Sequence, residues 1–241
     1  MVRRKPAQIG SPRSVTVCTI NLGVFDCFGS PLFLSQRLPS EIAMVAHMEF
    51  GELITKRRSI RKFMKDAVPE KLLKNILEAC RWAPSAGNSQ PWHVIVVTDS
   101  DVKTGIAETC TEYSREHWKK FPPERARYLA ARGGTWDKSY MKDIPVLLAI
   151  AYKSEKGFRN ELALGSTWIA VENMMLAITN EGLASCIYTF LNRREENKIG
   201  RLLRVPRTYR IACMLQVGYA RVEPPKPSRK ELREITSYQH F

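Results

Sequence analysis

The chain has 241 residues, enough to bury a sizeable core in one generous domain. Its 44% hydrophobic and 26% charged residues are ordinary for a soluble globular protein. An excess of 38 Lys and Arg over 24 Asp and Glu gives a net charge of +14, which favours nucleic acid, a membrane surface or a phosphorylated small molecule without choosing among them.

The six cysteines form no CxxC pair and none stands at a metal-ligand interval from a histidine, which argues against a zinc or iron–sulfur site. They read as reduced thiols of a cytoplasmic protein. No uninterrupted apolar stretch approaches a membrane span, so no membrane association is expected. Val15–Phe28 follows a basic start in the manner of a signal peptide, but polar residues dilute it and no clear cleavage site follows.

Residues 1–47 carry four prolines and no sustained period, and read as an N-terminal extension with a net charge of +3. A further methionine, Met48, opens the body of the protein, residues 48–241, which holds the other +11. Phe50–Lys56 reads as a short helix running into Arg57-Arg58-Ser59-Ile60-Arg61. Pro69 suits a first helical position, and Leu72, Leu73, Ile76, Leu77 and Cys80 then fall on one helical face. The loop 84–91 follows, then a strand over 93–98. Residues 100–143 are polar and dotted with aromatics (Tyr113, Trp118, Phe121, Tyr128, Trp136, Tyr140), helical in part, with a break at Gly133-Gly134. Ordinary packing and a lid over a binding site explain those aromatics equally well.

Val146–Ala151 is a buried strand, and Glu161–Glu181 a long helix apolar on more than one face, which implies burial in a large core or against another subunit. A strand over 185–190, a helix over 193–203 and a strand over 209–218 precede a Pro- and Arg/Lys-rich tail from Arg221. There is no GxGxxG dinucleotide fingerprint. His47, His117 and His240 lack the partners of a hydrolase triad, and His93 reads as structural.

Three segments carry chemistry together: 57–61, Pro84–Trp92, and Pro227-Ser228-Arg229-Lys230. Each alone has an ordinary explanation, as a solvated basic face, a loop chosen for its turns, or a solubilising tail. In this order, with a helix of about 15 residues between the first two, RRSIR and PSAGNSQPW leading into a strand resemble the nitroreductase family. The later Glu-Gly-Leu-Ala-Ser-Cys, Val-Gly-Tyr-Ala and Pro/Arg-rich end agree more loosely. The resemblance covers about residues 48–235.

That resemblance implies an α+β fold, with a central mixed, mainly antiparallel sheet flanked by helices and a C-terminal extension onto the partner subunit of a homodimer. It implies FMN as cofactor and NAD(P)H, including NADPH, as electron donor. Arg57 and Ser59, with Arg58 beside them, would meet the FMN phosphate, joined by Arg229 and Lys230 from the far end of the chain. Guanidinium suits phosphate because it stays charged and offers a planar fork of donors. At about 1.5–3 kcal/mol per charge-assisted bond, such a clamp is a large share of micromolar-to-nanomolar affinity. Arg61 would lie near the flavin pyrimidine and stabilise the negative charge that reduction places there. Asn88 and Gln90 would bind ribityl hydroxyls or the ring edge, shaped by Pro84 and Ser85. Backbone groups near Ile187, Tyr188 and Thr189 would lie against the flavin.

The implied activity is ping-pong reduction of nitroaromatics, quinones or related electron-poor small-molecule acceptors. No side chain need be the acid or base, because the cofactor carries the hard step. A specialised reaction of the same fold, dehalogenation or flavin fragmentation, is the enzymatic alternative. A basic nucleic-acid-binding protein is the non-enzymatic one, against which stands the lack of a recognition-helix or RNA-binding motif.

Overall fold

The computed structural model describes residues 48–131 and 135–241. The N-terminal extension, with Cys18, Cys27, His47 and the stretch 15–28, lies outside the described residues, as does the Gly133-Gly134 break.

The centre is a four-stranded sheet of β1 (Trp92–Val97), β2 (Val146–Lys153), β3 (Ala184–Tyr188) and β4 (Tyr209–Gly218), in the order β1-β2-β4-β3. All three strand pairs are antiparallel. Beside them one isolated bridge, Ser59 to Ser185, is parallel, so the pairing is mainly antiparallel, as expected. The basic run after the first helix supplies only that one residue of pairing. β2 is inside and buried from Val146 to Tyr152, which is why it reads as a continuous apolar run rather than an alternation.

Helices α1 (Phe50–Lys56), α2 (Glu70–Arg81), α3 (Ser100–Trp118), α4 (Pro123–Ala131), α5 (Phe158–Asn180) and α6 (Arg193–Leu202) complete the fold. On one sheet face α2 and α5 form an apolar core with Ile150, Leu148, Leu215 and Val217, and the periodic face of α2 lies where its spacing put it, with Ile76 and Cys80 buried. On the other face α3 and α6 pack Ile106, Cys110 and Ile199 against Leu147, Ala149 and Met214. Pro69 stands one position earlier than expected. Its extended ψ of 141° makes it the N-cap of α2, its carbonyl accepting from Leu72 and Leu73. β3 also ends two residues early, at Tyr188, because Asn192 already caps α6 by accepting from the Arg194 and Glu195 N–H groups.

α5 is long and apolar enough to cross a membrane by length and composition, yet Ala170, Val171, Met174 and Ile178 are buried in the sheet's core. Its remaining stripe, Phe158, Leu162 and Ile169, is exposed. Gly218 marks a close approach: a Cβ there would stand 3.0 Å from Pro145 and 3.3 Å from Phe63. That contact holds the strand after Arg61, whose Phe63 bridges Ala220. Beyond it the tail is exposed, including Leu232, Ile235 and Tyr238.

Candidate active site

The segment 57–61 is laid along the open edge of β3. Ile60 is the anchor: its side chain is 5% exposed and its N–H donates to the Ser185 carbonyl at 2.9 Å. Alternation in an extended segment puts Arg57, Ser59 and Arg61 on one side. The Arg57 guanidinium has Glu172 of α5 at 3.8 Å, and among the described residues Arg61 has no acidic partner. Arg58 differs. Its guanidinium donates to the carbonyls of Thr55 and Arg57, closing the C-terminus of α1, where a cation is favoured. Both bonds use Nη1, so the helix end holds that nitrogen while Nε and Nη2 keep their N–H donors.

Of the three positions 187–189, Ile187 lies on the same edge. Since the Ser185 carbonyl faces the 57–61 segment, strand alternation turns the backbone groups of Ile187 to that open side too. Thr189, just past the strand, is exposed. The Tyr188 side chain instead points into the α3/α6 core, where its hydroxyl donates to the Glu195 carboxylate.

The loop after α2 is fixed by its own polar groups. Ser85 Oγ accepts from the Gln90 N–H at 3.0 Å, and Gln90 Nε2 donates to Asn88 Oδ1 at 3.1 Å. Gly87, Asn88 and Gln90 all have positive φ, at 58°, 52° and 42°. For a glutamine this is a costly conformation, of the kind that clusters at binding sites. Pro84 is exposed at the start of the loop. The Ala86 N–H donates to Ser166 of α5 at 3.1 Å. Ser166 and Glu172 are six residues apart, about 9 Å along the helix, so α5 ties the loop and Arg57 to a common support.

Arg229 and Lys230 are exposed, and among the described residues Arg229 donates to the neighbouring Ser228 carbonyl, at 3.1 Å.

Sequence reasoning missed a second group of side chains, on the α3/α6 face beside Arg61. Lys138 is half-buried and donates to the Thr135 carbonyl; burial, aided by the charge of Arg61, holds its ammonium below the ordinary value. Tyr140 accepts from Gln216 Nε2 at 3.5 Å, and Gln216, 1% exposed, keeps its Oε1 without a partner. Cys186 lies among Arg61, Lys138 and Arg57; burial pushes its thiol up despite them. Burial also raises Cys80 to about 11 and Cys213 to about 12, so these thiols behave as small apolar groups, as the sequence suggested. Lys138 sits in no motif and carried no signal. Glu195 did: Asn192-Arg193-Arg194-Glu195 has the spacing of a capping box.

The middle aromatics divide. Trp136 packs under Arg115 at 4.8 Å and Phe121 meets Trp118 at 5.7 Å, while Tyr128 is 57% exposed. His93 packs edge-on against Tyr209 at 6.1 Å.

An α+β sheet with an open strand edge, two cations on one side of it and a strained polar loop nearby defines a cofactor-binding oxidoreductase fold of the kind the motifs suggested. The model of the nitroreductase family matches residues 54–219, and the chain belongs to that family. It is 30% identical over 190 residues to the iodotyrosine deiodinase of Thermotoga neapolitana, covering 79% of this chain and 97% of that protein. It is 31% identical to iodotyrosine deiodinase 1 of Rattus norvegicus, covering 85% and 74%. Among solved structures, oxidized iodotyrosine deiodinase bound to FMN and 3-iodo-L-tyrosine matches with a TM-score of 0.71 at 29% identity, covering 79% of this chain and 99% of that one. An FMN-dependent nitroreductase of Clostridium difficile R20291 shares the fold at 23% identity and a TM-score of 0.62, covering 78% and 98%.

Proposed function

We propose that this protein is an FMN-dependent reductive dehalogenase of halogenated phenols of the iodotyrosine kind. The observation that carries this reading is the 30% identity running along 97% of the Thermotoga neapolitana iodotyrosine deiodinase. It favours the dehalogenase alternative over general reduction of nitroaromatics and quinones.

The residues fit the cofactor. Arg57 and Ser59 share one side of the β3 edge with Arg61, and a dianionic phosphate needs such cations. Arg57 and Ser59 bind the phosphate end, and Arg61 holds negative charge at the pyrimidine. Asn88 and Gln90 meet the ribityl chain or ring edge from the loop shaped by Pro84 and Ser85. The backbone of Ile187, Tyr188 and Thr189 lines the flavin's side. When bound, FMN supplies the two electrons, received from NAD(P)H. With one proton they convert the aryl–iodine bond to aryl–hydrogen, and the iodide leaves with the pair of the broken bond. Lys138 provides a second cation beside Arg61, suited to the carboxylate of an amino-acid substrate.

The working form is a homodimer. The exposed stripe Phe158, Leu162 and Ile169 of α5, with the exposed Phe50 and Ile54 of α1, is a candidate for a subunit interface. The exposed tail carries Leu232, Ile235 and Tyr238 as anchors, and from it Arg229 and Lys230 reach the partner's phosphate site. A cytoplasmic location follows from the reduced thiols this reading assumes.

Heat-released cofactor, identified by chromatography, should be FMN; FAD or no flavin overturns the reading. Reduced holoprotein given 3-iodo-L-tyrosine should release iodide. Reduction of a nitroaromatic without any iodide release would return the protein to the general reductase class, and sedimentation of a stable flavin-bound monomer would remove the shared site.

A further inference from the structure

The link between β3 and α6, residues 189–192, begins with Thr189, which lines the flavin's side together with Ile187 and Tyr188 on the reading above. It is closed from behind by Glu195, which that reading leaves without a role. Glu195 is 0% exposed. One carboxylate oxygen accepts from the Tyr188 hydroxyl and the other from the Leu191 N–H at 2.7 Å. Tyr188 ends the strand and Leu191 lies one residue before the helix cap, so a single carboxylate ties both ends of the link that presents Thr189. The Cys110 thiol also faces it, from α3. Its two bonded neighbours are donors, the environment of a charged acceptor. Among the described residues no cation lies within ion-pair distance; Lys138 acts on it only through space. A buried acid without an ion-pair partner is expensive, and a capping residue alone has no need of that burial, because the usual capping-box acid sits at a solvated helix end.

We propose that Glu195 is a positioning residue for the flavin: it clamps the link 189–192 at the open edge of β3 and places a fixed negative charge behind it. This rests on the FMN reading. The clamp acts on oxidised and reduced flavin alike. The charge opposes the added electrons, so it sets the reduction potential lower than the arginines alone would.

The test uses full-length holoprotein and its apo form, titrated with oxidised and reduced FMN. Glu195→Gln keeps the size but places an amide donor against the donors that now face the carboxylate. It should bind oxidised FMN at least fivefold more weakly. It should also favour reduced over oxidised FMN about tenfold relative to wild type, a rise of about 30 mV for a two-electron couple. Tyr188→Phe removes one tie and keeps the charge; it should weaken both forms equally, by a smaller factor, and leave the potential in place. If Glu195→Gln does not fold, Tyr188→Phe decides: unchanged affinity, or a moved potential, overturns the proposal. A folded Glu195→Gln with the wild-type potential overturns it as well, reducing the residue to a structural cap. Wild-type protein that binds no FMN instead defeats the functional reading, a result distinct from either variant's.

Discussion

The two faces of the sheet are built from the same four strands and are held in different ways. Under α2 and α5 the core is mostly apolar, with Ile76, Ala170, Met174 and Ile178 essentially sealed and the buried Thr167 hydroxyl donating to the Ala163 carbonyl of its own helix. Under α3 and α6 the core surrounds Glu195, Tyr188 and Gln216, with Lys138 and Tyr140 at its border. Burial of apolar area stabilises without regard to direction. Buried polar groups stabilise only when their hydrogen bonds are made, and they fix one geometry. One face therefore holds the sheet together, and the other sets the shape of the β3 edge where the site lies.

Four changes would break or sharpen that contrast. The largest effect is expected on the apolar face. Met174→Ala should cost about 2–5 kcal/mol of stability, read by denaturant unfolding, while flavin affinity in the folded fraction stays near wild type. A coupled loss of both would mean that the faces are not separable. Next, Arg57→Ala should weaken FMN binding by about 1.5–3 kcal/mol, the value of a charge-assisted hydrogen bond, whereas Arg58→Ala should weaken it less, because Nη1 of Arg58 is held at the end of α1. Equal losses in fluorescence titrations would return Arg58 to the phosphate site.

At the junction of the two faces, Gly218→Ala should destabilise by about 1–3 kcal/mol through overpacking, since the new Cβ meets Pro145 and Phe63. A neutral melting temperature would show that Pro145 yields. The smallest effect concerns pH. Burial pushes the carboxyls of Glu195 and Glu196 above the usual range. A raised acid binds its proton more tightly in the folded state, so folding gains stability as pH falls through the raised folded value, and the gain is complete below the unfolded value near 4.5. Asp137 and Glu78 are shifted down and act in the opposite sense at lower pH. Melting curves from pH 7 downward should show a modest rise that flattens in Glu195→Gln. An identical slope in both proteins would place the carboxylate's cost elsewhere.

The sequence by itself determined the elements and the family. Periodicity located α2, the buried run of β2 and the long α5, because a side chain's face is set by local geometry and repeats along the chain. The paired motifs 57–61 and 84–92 pointed to the candidate site for the same reason: each is a short run of residues with its own chemistry. What lay beyond the sequence were contacts between distant segments. The antiparallel pairing of every strand, the place of Lys138 beside Arg61, and the reach of Glu195 to Tyr188 and Leu191 all depend on where the chain returns. A lysine in the polar run 135–143 looks solvated until folding desolvates it, and an acid three residues after Asn192 looks like a cap until the α3/α6 core closes over it. Burial is a property of the assembled layers, and only the tertiary structure decides which polar groups it encloses.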